Sequence, residues 1–222
     1  MKGLLRPRLP AQPVQASELD AQARDLLLAG EDVENMHFTG VTFSGLAGRR
    51  AEFRACMFER CAFEPCEGVR FGFTDAAFLH CELSGADFSQ SALQRVRLEE
   101  CRCLGIRLSE TLLMHARFVK CQMQYANLAL ARLKYAAFEA CGLSQSCFSE
   151  AEIKQAVWDH CQLTEAEFVG TKLKGIDLRT NEISGIVLGG RGELAGATVS
   201  PLQACDLARL LGVTIRSEED EK

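Results

Sequence analysis

The sequence lacks the features that identify several large classes of protein. No apolar run among its 222 residues approaches the roughly 18 residues of a membrane span. Residues 1–16 contain three prolines and three cations but no unbroken apolar stretch, so no secretory signal is recognisable. The net charge of −5 shows no basic excess of the kind that nucleic-acid binders carry. We therefore expect a cytoplasmic protein without membrane association, and direct nucleic-acid binding is disfavoured.

Signatures of catalysis are also lacking. The sequence contains no nucleophile elbow, Walker loop, dinucleotide-binding fingerprint or HExxH motif. The four histidines share no local motif with an acid and a nucleophile, and we expect exposed side chains at His37, His80, His115 and His160. Eleven cysteines without a secretory signal indicate reduced thiols rather than a disulfide framework. These observations predict a protein that is not an enzyme and has no catalytic residue, metal site or cofactor.

What the sequence does contain is a period of five residues. Twelve of the thirteen phenylalanines occupy positions that differ by multiples of five, and Phe71 is the exception. From 38 to 188 this series, the centre position, has 31 members, and 29 of them are Phe, Leu, Ile, Met, Trp or Cys. Two residues earlier lies the slot position, which is mostly small, and neither position carries a charge between 36 and 190. Because this period fits neither an α-helix nor one long strand, it predicts short strands separated by corners.

The five-residue unit resembles the A(D/N)LXX motif of the pentapeptide-repeat family. Close matches are Ala86–Gln90, Ala126–Leu130 and Ile176–Thr180. The resemblance spans residues 36–190 without a break in register, and it implies an all-β fold, a right-handed quadrilateral parallel β-helix with four units per coil. The sequence supports four units per coil independently, because cysteines recur every 20 residues and residues one coil apart would stack at about 4.8 Å.

The repeat predicts which side chains are buried. The largest centre residues are expected in the core at Phe38, Phe58, Phe78, Phe118, Phe138 and Trp158. Slot cysteines form a ladder at Cys61, Cys81, Cys101, Cys121, Cys141 and Cys161. The ladder could bind a metal or switch by oxidation, but parallel side chains in a straight column do not converge on a metal. We favour six inert buried thiols, since cysteine is a small hydrophobe. Phe71 is expected to fill space that Gly68 leaves.

The two ends of the rod require caps, because a solenoid exposes its terminal coils. We expect an extended segment and a capping helix at 17–29 within residues 1–35. In residues 191–222, Arg191 shifts the frame, two further units are centred on Leu194 and Val199, and a helix, a short strand at 213–215 and an acidic tail follow. The apolar face of this helix, Leu207, Leu210 and Leu211, caps the last coil or also contacts a second copy. The resemblance implies the second alternative, because a similar helix dimerises the quinolone-resistance members of the family.

The charges are unevenly distributed over the four predicted sides. Residues 36–190 carry 17 cations and 18 carboxylates, but the side that begins at Ala51 sums to +4 and the side that begins at Val41 sums to −3. The basic side presents a candidate contact stripe of Arg132, Lys134, Lys154, Lys172 and Lys174. This stripe could dock an acidic protein or a nucleic-acid strand, or it could only improve solubility. Aromatic interleaving, which single-strand binding requires, is limited to Tyr135.

Two functions follow from these patterns. The first is a non-catalytic interaction scaffold that contacts an unknown protein partner through the outward residues of the β-helix. The alternative is implied by the resemblance, because some family members mimic DNA and protect or inhibit a type II topoisomerase such as DNA gyrase, which gives quinolone tolerance. The nearly neutral rod and the absence of loops interrupting residues 36–190 depart from that alternative.

Overall fold

The computed structural model describes residues 3–16, 32–44, 50–64, 70–190, 192–210 and 212–216. The helix predicted at 17–29, the glycines at 48 and 68, and the acidic tail lie outside these residues. Most of the strands in the described chain are short, and turns and isolated bridges connect them, because each unit offers only a slot and a centre residue to the core before the chain turns.

Within the described residues, the regular structure comprises fifteen strands and one helix. The strands are β1 Val14–Ala16, β2 Asp32–Glu34, β3 Met36–Thr39, β4 Thr42–Phe43, β5 Arg50–Arg54, β6 Met57–Glu59, β7 Ala62–Phe63, β8 Arg70–Leu79, β9 Ala92–Glu99, β10 Leu112–Met114, β11 Arg117–Val119, β12 Arg132–Lys134, β13 Ala137–Glu139, β14 Glu152–Lys154 and β15 Val157–Asp159. The helix α1 is Pro201–Leu210.

Every strand pair is parallel, and almost every pair joins residues 20 positions apart. Phe118 lies opposite Phe138 in β11 and β13, and Leu133 lies opposite Ile153 in β12 and β14. Isolated bridges with the same offset continue the stacking between the strands. The fold is the predicted right-handed quadrilateral parallel β-helix, in which one coil contains four five-residue units. β1 and β2 belong to this stack and precede Met36, because they pair with β3 and β5.

Aromatic rings fill the interior along the axis of the rod. The six large centre residues named above are each at most 1% exposed. Rings one coil apart stack: the centroids of Phe118 and Phe138 are 4.8 Å apart at 7°, and those of Phe138 and Trp158 are 5.5 Å apart at 10°. Rings on adjacent sides meet edge to face, as Phe38 and Phe43 do at 81°. Slot and centre side chains together therefore fill the core of the rod.

The corners depend on a left-handed residue at the end of nearly every unit. Nineteen residues other than glycine, all at numbers divisible by five from Ala55 to Glu165, have φ between 51° and 62°. This conformation directs the N–H of the corner residue along the rod, so that Lys120 donates to the carbonyl of Glu139 in the next coil at 2.8 Å. The left-handed region costs an L-residue about 1–2 kcal/mol. Accordingly, no corner position between 36 and 190 carries Val or Ile.

Besides the offset of 22 between β1 and β3, the register changes near the C-terminal end of the rod. The bridge between Glu167 and Val187 has the usual offset of 20 residues, whereas Asp177 bridges Thr198 at an offset of 21. Leu194 and Val199 are partly buried against the core after this change. One additional residue is therefore accommodated between 187 and 198 without a break in the stack.

Helix α1 covers the last coil through a polar residue. The side chain of Ser200 accepts a hydrogen bond from the N–H of Gln203 at 3.3 Å, and the Gln203 amide oxygen accepts one from the N–H of Ser200 at 2.8 Å. This is a capping box. The Gln203 amide nitrogen also donates to the carbonyl oxygens of Leu178 and Asn181 at 2.9 and 2.7 Å. Gln203 is only 8% exposed, so it caps both the helix and the coil.

The chain after α1 does not form the predicted short strand. Gly212 has φ 80°, its N–H donates to the carbonyl of Arg209, and Val213 donates to Ala208. These bonds form a helix-terminating turn. Residues 213–215 continue without strand pairing, and Val213 is 51% exposed. The prediction of a strand here was wrong, because a β-branched pair without a neighbouring strand has no ladder to join.

Candidate interaction surface

Five exposed cations mark the basic side of the rod. All five members of the predicted stripe are exposed, on β12, β14 and the following unit: Arg132, Lys134, Lys154, Lys172 and Lys174. Lys134 lies directly opposite Lys154 in the parallel pairing, and Lys174 holds the same position one coil later. These three residues are the lysine ladder. Adjacent strands are about 4.8 Å apart, and like charges placed directly opposite destabilise a sheet. The ladder therefore does not serve the stability of the fold.

Few carboxylates neutralise the ladder. Among the described residues, Glu152 is the one acid that pairs with it, 2.5 Å from Lys154, and this contact lowers the pKa of the Glu152 carboxyl. Cations on the other sides are mostly paired with an acid, in the pairs Arg97–Glu99, Arg107–Asp87, Arg117–Glu139, Lys120–Glu100 and Arg179–Asp177. Lys134 and Lys174 form no ion pair with a described carboxylate, so they are free to bind an acidic surface.

The cysteine ladder is buried and hydrogen-bonded. All six ladder residues are at most 1% exposed. The Cys81 thiol donates to the carbonyl of Phe58 at 3.3 Å, 23 positions earlier, and Cys161 donates in the same way to Phe138. The Cys121 thiol and burial raise the pKa of Cys141 to about 12, although the Cys161 thiol acts in the opposite direction. For Cys141, this shift stabilises the thiol form rather than the reactive thiolate.

Several slot residues other than cysteine also donate a hydrogen bond to the main chain. Thr111 and Thr171 hydroxyls and the Asn181 amide occupy other slots and donate to carbonyls at the same offset of 23 positions. The reasoning from sequence treated cysteine as a hydrophobe and missed this hydrogen bond. The signal was present, because Thr and Asn replace Cys at equivalent slots. Among the described residues, no cluster of His, Cys, Asp and Glu has the geometry to hold a metal ion.

Two of the four histidines are not freely exposed. The side chains of His80 and His160 are 54% and 73% exposed, as expected. The side chain of His37 is only 16% exposed and lies 3.3 Å from Glu59. His115 stacks on Tyr135 at 4.8 Å, and burial together with nearby cations lowers its pKa. The prediction of exposed side chains was therefore wrong for His37 and His115.

His115 is partly covered by an N-terminal segment whose contact with the rod was not predicted from the sequence. Residues 3–13, which we call the N-terminal strap, run along the outside of the rod opposite to the direction in which the coils advance. The Leu5 N–H donates to His115 Nδ1 at 3.4 Å, and the Arg8 N–H donates to Asp75 Oδ1 at 3.0 Å. The three prolines favour an extended strap, but they do not indicate where it lies.

The apolar face of α1 is divided between the core and the surface. Leu207 packs on the core, whereas Leu210 and Leu202 are 53% and 75% exposed. A groove of about 690 Å³ lies between α1 and the last coil, and Ile186, Leu188, Leu194, Leu207 and Leu210 contribute to its walls. Leu211 lies outside the described residues. No helix in the part of the chain that the structure describes combines the length and apolarity needed to cross a membrane.

Comparison with known families identifies the repeat. The model of the pentapeptide repeat region matches residues 71–148, and the model of eight pentapeptide repeats matches residues 141–179. The search of curated proteins finds no match.

Solved structures of similar proteins share low sequence identity with the chain. HetL, a pentapeptide repeat protein involved in heterocyst differentiation regulation in the cyanobacterium Nostoc sp. strain PCC 7120, is 19% identical, with 81% of this chain and 92% of that chain covered and a TM-score of 0.37. Full-length QnrB1, a plasmid-mediated fluoroquinolone resistance protein, is 22% identical over 90% and 97% of the chains, with a TM-score of 0.29. A pentapeptide repeat protein from the thylakoid lumen of Arabidopsis thaliana is 17% identical over 46% and 65%, with a TM-score of 0.32.

Proposed function

Because this chain belongs to the pentapeptide-repeat family, we propose that it is a non-catalytic scaffold that binds a protein partner through the basic side of the rod. The lysine ladder is the observation that carries the proposal. Like charges at neighbouring positions lower stability, and a complementary acidic surface would neutralise them on binding. A flat, closed solenoid side suits contact with a macromolecule better than enclosure of a small substrate. We propose the cytoplasm as the compartment in which this contact occurs.

Charge reversal of the ladder tests this function. The variant Lys134→Glu/Lys154→Glu/Lys174→Glu should lose the acidic partner that cross-linking captures from an extract of the source cell, with affinity reduced by at least about tenfold. The matched control Arg60→Glu/Lys120→Glu/Arg179→Glu changes the net charge equally on the adjacent side and should retain the partner. Retention of the partner by the ladder variant, or its loss from both variants, would contradict the proposal.

The alternative function is topoisomerase protection or inhibition by partial mimicry of DNA. A DNA gyrase supercoiling and cleavage assay, with and without a quinolone, distinguishes it from the scaffold. The scaffold predicts no effect of the purified protein. Rescue or inhibition at low-micromolar protein would instead favour DNA mimicry, through a side other than the lysine ladder because DNA mimicry requires acidic groups.

We also propose that two copies associate through α1. The exposed Leu202 and Leu210 lie on neighbouring faces of the helix, beside the apolar groove described above. Sedimentation velocity should show a dimer for the wild-type chain and a monomer for Leu210→Glu. Ala204→Glu introduces the same charge on a different face of α1 and should remain dimeric. A wild-type monomer at high concentration would exclude this association.

A further inference from the structure

The N-terminal strap binds the rod mainly through its main chain. Two backbone N–H groups, those of Leu5 and Arg8, donate to rod side chains at His115 and Asp75. Near its start, Gly3 packs so closely on Tyr135 that an added Cβ would lie 3.3 Å from the ring. The three rod residues are corners of different coils, so the strap crosses the coils and does not join the β-ladder.

The rod presents a preformed receptor for these main-chain donors. Arg95 donates two hydrogen bonds to the Asp75 carboxylate, at 2.7 and 2.6 Å. Burial acts to raise the pKa of Asp75, but the hydrogen bonds from Arg95 hold it below its ordinary value. The lowered pKa of His115 keeps its ring neutral, as an acceptor must be. Both acceptors are thus held ready for an extended chain.

The strap does not fill the space that it covers. A cavity of about 360 Å³ remains between the strap and the rod, and its walls include Arg6 of the strap and Arg97, Arg117 and Glu139 of the rod. Half-buried Leu4, Pro7 and Leu9 supply the apolar part of the walls. A segment that had only a structural role would be expected to pack more closely.

The charges in the cavity are also not matched by the strap. Arg117 is fully engaged by Glu139, through Nε at 2.9 Å and Nη2 at 2.6 Å. Arg97 donates from Nη2 to Glu99 at 2.7 Å, whereas its Nε is buried and has no acceptor among the described residues. Arg6 then adds a further positive charge to the same cavity. A carboxylate at the position of Arg6 would complement the positive charge of Arg97. The strap instead places a second cation there.

We propose that the face beneath the strap is a docking groove for an extended partner peptide that carries an acidic side chain, and that the strap occupies this groove in the free protein. The bound peptide uses the main-chain acceptors Asp75 and His115, and its carboxylate binds Arg97. Extended peptides with proline bind in this manner because little conformational entropy is lost. This inference rests on the proposed scaffold function, but the rod residues that line the cavity lie on the side adjacent to the lysine ladder.

Proline substitutions in the full-length chain release the strap without altering the rod. Proline has no N–H, so Leu5→Pro/Arg8→Pro removes both main-chain bonds. The matched control Leu5→Ala/Arg8→Ala keeps both donors. The probe is a fluorescein-labelled peptide with the sequence of residues 1–16 and the change Arg6→Glu, and a scrambled peptide of the same composition controls for non-specific binding. By fluorescence anisotropy, the proline variant should bind the probe about tenfold more tightly than the wild type or the alanine control.

A second comparison tests the acidic side chain of the peptide. The proline variant should bind the Arg6→Glu peptide about tenfold more tightly than the peptide of native sequence, because the carboxylate gains a charge-assisted hydrogen bond. Adding Arg97→Ala to the proline variant should abolish this preference and leave main-chain binding in place. Equal affinity for the two peptides would overturn the acidic specificity, and equal or absent binding in all three proteins would overturn the groove.

A second measurement uses only the wild-type chain. Trypsin cleaves after Arg8, and saturating Arg6→Glu peptide should accelerate this cleavage because it displaces the strap. The scrambled peptide should not change the rate. Unaltered cleavage in the presence of bound peptide would show that the peptide binds elsewhere. Charge reversal of Lys154 and Lys174, the two ladder residues that are not among the cations acting on His115, should not change any of these results, so failure of this inference and failure of the proposed scaffold function are distinguishable.

Discussion

At the scale of single residues, the slot hydrogen bonds explain why cysteine recurs without being reactive. Each ladder thiol is enclosed, and most donate to a carbonyl of the preceding coil. We expect a maleimide added to the folded protein to modify the half-buried Cys147 and Cys205 and to leave the ladder unmodified. Mass spectrometry of tryptic peptides gives the sites, with urea-unfolded protein as the fully labelled control. Rapid modification of several ladder residues would contradict the inert assignment.

The contact with Cys121, together with burial, makes the free energy of unfolding depend on pH in the alkaline range through Cys141. The pKa of Cys141 is raised from 9.0 to about 12 in the folded chain. Between these values the unfolded chain loses a proton that the folded chain keeps, so the free energy of unfolding falls as the pH rises. The urea midpoint should therefore decrease above pH 9, and Cys141→Ala should show a shallower decrease than the wild type. Parallel pH profiles for both proteins would be inconsistent with this thiol as a cause.

One core residue carries a polar atom that the fold does not use. The indole Nε1 of Trp158 is buried and has no acceptor among the described residues. Removing an unsatisfied donor offsets part of the loss of volume, so Trp158→Phe should cost less than about 1.5 kcal/mol. Phe138→Ala removes the ring that stacks on Trp158 and leaves no polar atom unpaired. It should lower the free energy of unfolding by about 3–5 kcal/mol. Urea unfolding measures both, and similar large losses would indicate that the indole N–H has a partner.

At the scale of structural elements, the corner decides which residues a unit tolerates. Leu130 has φ 59° and is 50% exposed, so its side chain contributes little packing there. Leu130→Gly should raise the free energy of unfolding by up to about 1 kcal/mol, and Leu130→Val should lower it because β-branching crowds a left-handed residue. Thermal unfolding should show stability that decreases in the order Leu130→Gly, wild type, Leu130→Val. The reverse order would show that the side chain, not the backbone, controls the corner.

The C-terminal cap is a second element with a specific requirement. Gln203 supplies one acceptor to the helix and two donor bonds to the last coil. Gln203→Ala should cost about 1–3 kcal/mol, because buried carbonyls and an N–H lose their partners. Gln203→Glu retains the acceptor and adds a negative charge that interacts favourably with the helix dipole. It should nevertheless lower the free energy of unfolding, because a carboxylate cannot donate to the carbonyls of Leu178 and Asn181. A stabilising Gln203→Glu would show that only the helix end matters.

At the scale of the whole molecule, the rod is a stack in which each coil contacts only its neighbours. Coils in the middle have neighbours on both sides, whereas the first and last coils rely on β1 and α1. Hydrogen exchange should therefore be slowest for amides between 102 and 163 and faster toward both ends. Uniform protection along the rod would indicate a single cooperative unit instead. Such a result would also show that the caps are as stable as the interior.

The sequence by itself determined the repeat architecture, because a five-residue period with two uncharged positions favours short strands with corners and the recurrence of cysteine every 20 residues favours four units per coil. It placed the core residues, including Phe38 and Trp158, since every centre position has the same geometry. Tertiary structure alone decided the donor role of the slot residues, the second function of Gln203 and the position of the strap. These depend on contacts between residues 20 or more positions apart in directions that a period cannot encode. For the same reason the strap, a segment outside the repeat, acquired its groove only when the coils brought Asp75, His115 and Arg97 to one face.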